Sequence, residues 1–144
     1  MAEPAIEVFP GGAASAFAEM MAELIRTNLA DRPDKTRDFA AMFGRVALVA
    51  EDAQTAATLR FRGGTLSVYP GLYGIPDLVV RGPSEALLDL SRLPMHPRLS
   101  FLPDPRSDVT RSLARALVER RLRIYGLLEN LGLGLRLGRV LSIY

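Results

Sequence analysis

The sequence predicts an α+β domain, a mostly antiparallel five-stranded sheet covered by helices and closed by an apolar C-terminal helix. Three observations carry this. An apolar stripe at helical spacing opens the chain, a period-two stretch fills its middle, and a leucine-rich segment ends it. At 144 residues, 49% hydrophobic and 24% charged, the chain suits a single domain over 1–144 with its own core.

Residues 1–12 contain proline and glycine and read as irregular. Phe17, Met20, Met21, Leu24 and Asn28 then fall on one helical face, with Ser15 placed to cap it. A second helix is expected from Asp31 or Pro33, burying Phe39, Met42 and Phe43 and stopping at Gly44.

The period then becomes two. Val46, Leu48 and Ala50 predict one strand, and Glu51–Gln54 a turn open to water. The next strand sets Ala57, Leu59 and Phe61 against Thr58, Arg60 and Arg62. Gly63-Gly64 is a two-residue hairpin signal, because both positions tolerate positive φ. Leu66 and Val68 continue the apolar face, and Asp77–Arg81 is a fourth strand after a Pro- and Gly-rich loop.

Ser84 is expected to cap a short helix with Leu87, Leu88 and Leu90. Residues 92–107 hold four prolines and read as extended; Asp108 is placed to cap a helix to about Arg120, with Val109, Leu113, Ala116 and Leu117 inward. Leu122–Gly126 is a fifth strand. The tail then places Gly132, Gly134 and Gly138 among its leucines. Each interior glycine costs a helix roughly 1 kcal/mol relative to alanine. Two accounts fit: room for a ligand, or tight packing of the tail on the sheet.

Composition excludes several functions. There is no cysteine, hence no disulfide, thiolate nucleophile or cysteine-ligated metal. The one histidine, His96, lies between prolines and has no evident catalytic partners, so no catalytic residues, metal site or cofactor are expected. No glycine-rich phosphate loop follows a strand. No run approaches the roughly 20 apolar residues of a membrane span. Met1-Ala2-Glu3-Pro4 lacks the basic and apolar regions of a leader, which makes the cytoplasm the expected location.

The formal net charge of +2 is unevenly spread. Residues 1–91 carry 8 basic and 12 acidic residues, whereas residues 92–144 carry 10 and 4. The basic half allows transient contact with an anionic membrane surface. Nucleic acid is not expected, because the arginines are dispersed and not interleaved with aromatics.

Three segments, in order, resemble the sterol carrier protein 2 family. Ala56–Val68 is similar to its glycine-turn hairpin, and Pro76–Val80 with Ser84–Leu88 to its strand and capped helix. Arg121–Gly126 with Leu127–Leu137 is similar to its late strand and apolar helix. The resemblance covers roughly residues 44–144. Residues 92–120 depart from it, being longer than the usual connection. It implies an apolar tunnel between sheet and helices that binds a hydrophobic small molecule or lipid: a sterol, fatty acyl chain, phospholipid or isoprenoid.

The expected ligand walls are Phe39 and Phe43 from the second helix, Leu59, Phe61, Leu66 and Val68 from the sheet, and Leu127, Leu128, Leu131 and Leu135 from the tail. Plain core packing accounts for the same residues. A filled tunnel would leave a non-enzymatic interaction module that forms a homodimer or supports a partner enzyme.

Overall fold

The computed structural model describes residues 4–10, 15–93 and 103–143. The elements are β1 (Ala5–Val8), α1 (Ser15–Asp31), a 3-10 turn (Pro33–Lys35), α2 (Thr36–Ala40), β2 (Phe43–Ala50), β3 (Thr55–Arg62) and β4 (Thr65–Pro70). They continue with β5 (Leu78–Gly82), α3 (Ser84–Ser91), α4 (Asp108–Val118), β6 (Arg123–Tyr125) and α5 (Leu131–Leu141). The α+β class stands, but the sheet has six strands in the order β1-β4-β3-β2-β5-β6, and it is mixed.

The meander β2-β3-β4 is antiparallel, as the period-two pattern requires. Gly63 and Gly64 make its second turn at φ of 57° and 99°, a conformation that disfavours side chains with a Cβ. The two outer pairings differ from expectation. β5 joins β2 in parallel, Val46 opposite Leu78, because the chain crosses over through the 71–77 loop instead of turning back. β1 joins β4 in parallel, Ile6 opposite Leu66. Residues 5–8 are therefore a strand, not irregular chain. Only four residues long, they owe that state to the neighbouring edge rather than to local propensity.

The second helix is shorter than expected. It runs one irregular turn and then five residues, and β2 begins at Phe43. The switch to strand period sends Met42 into the core and Phe43 to the other face, where it is 69% exposed and its ring lies over Gly63. Gly44 lies inside β2 at φ 133° and does not stop a helix.

Three helix ends also differ in detail. Pro83, not Ser84, is the cap residue of α3, and Ser84 instead donates to Asp52. Ser107 caps α4 by accepting from the Val109 amide at 3.2 Å, one residue before Asp108. Leu117 of α4 is exposed rather than inward. α5 begins only at Leu131, so Leu127 and Leu128 precede the helix.

The core lies between one sheet face (Val46, Leu48, Leu59, Phe61, Leu66, Val68) and α1, α2 and α5. At one end the helices are tied together by main-chain capping. Asn28 Nδ2 of α1 donates to the Val140 and Leu141 carbonyls, both at 2.9 Å. The Ser142 hydroxyl donates to Leu93 and the Ile143 amide to Ser91, each at 2.7 Å. These bonds satisfy carbonyls that a helix C-terminus otherwise leaves open.

Candidate functional site

The apolar positions of α1 repeat so that Phe17, Met20, Met21 and Leu24 share one side. On α3, Ser84, Leu87, Leu88 and Ser91 do the same. Between these two helices lies an open cavity of about 560 Å³, floored by Ala50, Ala53 and Thr55 at the β2–β3 turn. Ala16 completes the described lining. The volume falls in the range of about 300–1,000 Å³ usual for small-molecule sites. Met20 and Leu88 stand at its rim, both exposed.

Polar groups at this cavity are hydroxyls. Ser84 Oγ donates to Asp52 Oδ1 at 2.8 Å and Ser91 Oγ to the Leu88 carbonyl at 2.6 Å. Thr55 Oγ1 is buried and has no hydrogen-bond partner among the described residues. Asp52 also accepts from the Ser84 amide at 2.8 Å, and these bonds hold its carboxyl below the usual carboxylate range.

The neighbouring carboxylate is equally engaged. Glu51 accepts from Arg123 Nη2 at 2.7 and 2.8 Å, with Arg81 Nε at 3.6 Å. Arg123 is the main cause of its lowered pKa. Glu51 and Asp52, in the turn expected to be open to water, both hold hydrogen bonds to other elements. One clamps the turn to β6 and β5, the other to α3.

None of the ten residues expected from sequence lines this cavity. Leu59, Phe61, Leu66 and Val68 are fully buried core, and Phe39 packs edge-on against Phe61 at 6.1 Å between ring centres. Phe43 is exposed on the opposite sheet face. Leu127 is partly buried against the core and Leu135 half-buried, while Leu131 is exposed and Leu128 is 88% exposed. His96 and its flanking prolines lie outside the described residues.

Packing accounts for one of the three tail glycines. A Cβ on Gly134 would run into Leu127 Cδ1, so that glycine admits Leu127 to the core edge. Gly138 meets nothing. The cavity walls that sequence reading missed, Met20, Met21 and Leu24, belong to the α1 stripe already visible. The missing signal was that the stripe is wider than one sheet contact uses.

A second feature lies at the far end of β2. Arg45, Arg60 and Arg62 share the sheet face away from the helices and have no ion-pair partner among the described residues. Phe43 and Ile75, 86% exposed, flank them around a shallow pocket of about 410 Å³, which Asp77 also lines. By contrast, seven of the nine described arginines beyond residue 91 face a carboxylate. Unpaired arginines therefore also occur outside the basic C-terminal half that the sequence singled out.

The arrangement of sheet and helices matches known structures. A UbiJ-SCP2 ubiquinone synthesis protein superposes with a TM-score of 0.61 at 14% identity, over 88% of this chain and 93% of that one. A sterol carrier protein 2 crystal structure gives 0.53 at 13% identity, over 88% and 91%. This is a sterol carrier protein 2 fold. No family model and no curated relative matches the sequence. The fold resemblance read from the three sequence segments therefore holds in three dimensions. Among the described residues, no helix of this SCP2-like domain is long and apolar enough to cross a membrane.

Proposed function

We propose that this protein binds and carries a hydrophobic, lipid-like molecule without chemical conversion, and that the α1–α3 cavity is its seat. The observation that carries the reading is a 560 Å³ opening walled mainly by Phe17, Met20, Met21, Leu24, Leu87 and Leu88. Burying each methylene gains roughly 0.8 kcal/mol. A chain of about ten methylenes therefore offers a gross gain near 8 kcal/mol, the scale of micromolar binding before the costs of association.

The SCP2-like fold supports lipid binding in general. The ligand class considered from sequence was sterol, fatty acyl, phospholipid or isoprenoid. Delivery would involve transient contact with an anionic membrane. The arginine trio with Phe43 and Ile75 supports such contact, since it pairs uncompensated positive charge with protruding apolar side chains.

The test is native mass spectrometry of gently purified protein, together with displacement of the neutral dye Nile red by lipids of these four classes. The expected result is a copurifying lipid, or displacement at micromolar concentration. No occupancy and no displacement by any class rejects the carrier reading.

A further inference from the structure

We propose that the pocket at the Phe43 end of β2 is a second binding site, one that takes a phosphate monoester. Its phosphate would meet Arg45, Arg60 and Arg62, and its organic part would lie against Phe43 and Ile75. The proposal does not rest on the carrier reading, whose cavity lies at the Ala50 end of the same strand.

The register of the sheet carries the argument. β2 and β3 pair so that Arg45 lies directly opposite Arg60, and Arg62 lies opposite Phe43. Residues two apart on a strand share a face, so all three arginines leave the sheet on one side. Like charges directly opposite one another destabilise a sheet. Arg45 and Arg60 are half-buried, so water screens their repulsion less than at an open surface. An anion held between them turns that repulsion into attraction, and the guanidinium fork matches phosphate oxygens two at a time.

The pocket is also shaped around these charges. Asp77, its one carboxylate, accepts from the Arg45 amide at 2.9 Å and is thereby engaged by the main chain. The Arg45 guanidinium lies over Gly74, where a Cβ would strike it. Three guanidiniums and one carboxylate leave the lining with two positive charges. A phosphate monoester carries nearly two negative charges at neutral pH, whereas a sulfate ester or a carboxylate carries one. Phe43 and Ile75, both exposed, give the organic part of the ester an apolar flank.

The experiment titrates the whole protein calorimetrically with phenyl phosphate and with phenyl sulfate at about pH 8, where the two share a ring and differ in charge. Phenyl phosphate should bind with a Kd below about 1 mM, roughly tenfold tighter than the sulfate, and should raise the melting temperature. Arg60→Gln should lose roughly tenfold in phosphate affinity, while its melting temperature without ligand stays level or rises because the opposed charge is gone. Arg62→Gln, at an exposed position, should show the same loss without cost to the fold. Arg92→Gln, outside the site and paired with Asp89, should bind as the wild type does.

Cosedimentation with vesicles of phosphatidic acid or phosphatidylglycerol, matched in surface charge, separates two sources of the group. Preference for phosphatidic acid, competed by phenyl phosphate, assigns the site to a lipid headgroup that ends in a phosphate monoester. Binding of phenyl phosphate with no preference between the vesicles assigns it to a free ester. Absence of phenyl phosphate binding overturns the inference, as does sulfate binding equally tightly or unchanged affinity in both arginine variants. Equal association with both vesicles would then leave only general attraction to an anionic membrane.

Discussion

The buried ammonium of Lys35 donates to the main-chain carbonyl of Ser142 at 2.5 Å, joining the turn after α1 to the end of α5. Lys35 is 2% exposed, and burial lowers its pKa from 10.5 to about 8. Arg32 and Arg139 act in the same direction, while Asp34 and Asp38 oppose them. A cation at a helix C-terminus is favourable, but here it is bought with desolvation.

This fixes a pH dependence. Below about pH 8 the lysine is charged in both folded and unfolded chains, and the desolvation penalty is fully present. Between about 8 and 10.5 the unfolded chain holds a proton that the folded one has released, so stability contributed at this site rises with pH. Urea denaturation of the wild type and of Lys35→Met, at neutral pH and at about pH 9.5, checks it. The wild type should gain stability relative to the variant on going to the higher pH. Parallel behaviour of the two proteins would show that Lys35 does not titrate in this window.

Asn28 holds the same helix end. Its amide nitrogen donates to two buried carbonyls, Val140 and Leu141. Asn28→Leu leaves both acceptors unpaired in the interior, a loss of about 2–4 kcal/mol. Chemical denaturation should show that loss, and amide exchange should accelerate selectively over the last turn of α5. Uniform acceleration across the chain would mean the bonds act only on global stability.

These two residues also show what the sequence could and could not convey. The meander was legible because period-two alternation at Leu59, Phe61, Leu66 and Val68 is local information. Asn28 was placed on an otherwise apolar helical face, but its partners lie more than a hundred residues away and leave no local trace. The parallel pairings of β1 and β5 are likewise set by which edge is free, not by their own residues. Phe43 was misplaced because a helix of one more turn and a strand begun at 43 both bury Phe39 and Met42, and only the period beyond decides between them. Leu59, Phe61, Leu66 and Val68, the sheet residues expected to face a ligand, lie on the face that the helices cover.

The tail glycines give opposite predictions. Gly138 faces open space in α5, so Gly138→Ala should stabilise the helix by about 0.5–1 kcal/mol. Gly134→Ala gains the same propensity but pushes its methyl into Leu127, so its melting temperature should stay level or fall. Thermal denaturation of the pair separates packing from propensity. An equal rise in both would show that Leu127 yields without cost.

Vesicle binding tests the arginine trio. The triple change of Arg45, Arg60 and Arg62 to Gln should abolish cosedimentation with vesicles rich in anionic lipid, and raised salt should weaken the wild-type interaction. Phe43→Ser should weaken it as well, with little effect on the fold because the side chain is mostly exposed. Association that ignores both salt and the triple substitution would place membrane contact elsewhere on the molecule.

The last prediction separates the cavity from the core. Met20 lines the cavity and is exposed at its rim, so Met20→Trp can fill space without breaching the packed interior. Nile red and lipid affinity should drop by roughly tenfold or more, with the melting temperature shifted by no more than about 2 °C. Leu59→Ala makes the opposite change. It empties volume at a fully buried core residue, costing about 2–5 kcal/mol of stability. Its ligand affinity, measured where the variant remains folded, should match the wild type. The two variants together decide between the walls. If Leu59→Ala weakens binding while Met20→Trp leaves it intact, the ligand lies between sheet and helices, and the α1–α3 opening is only a surface groove.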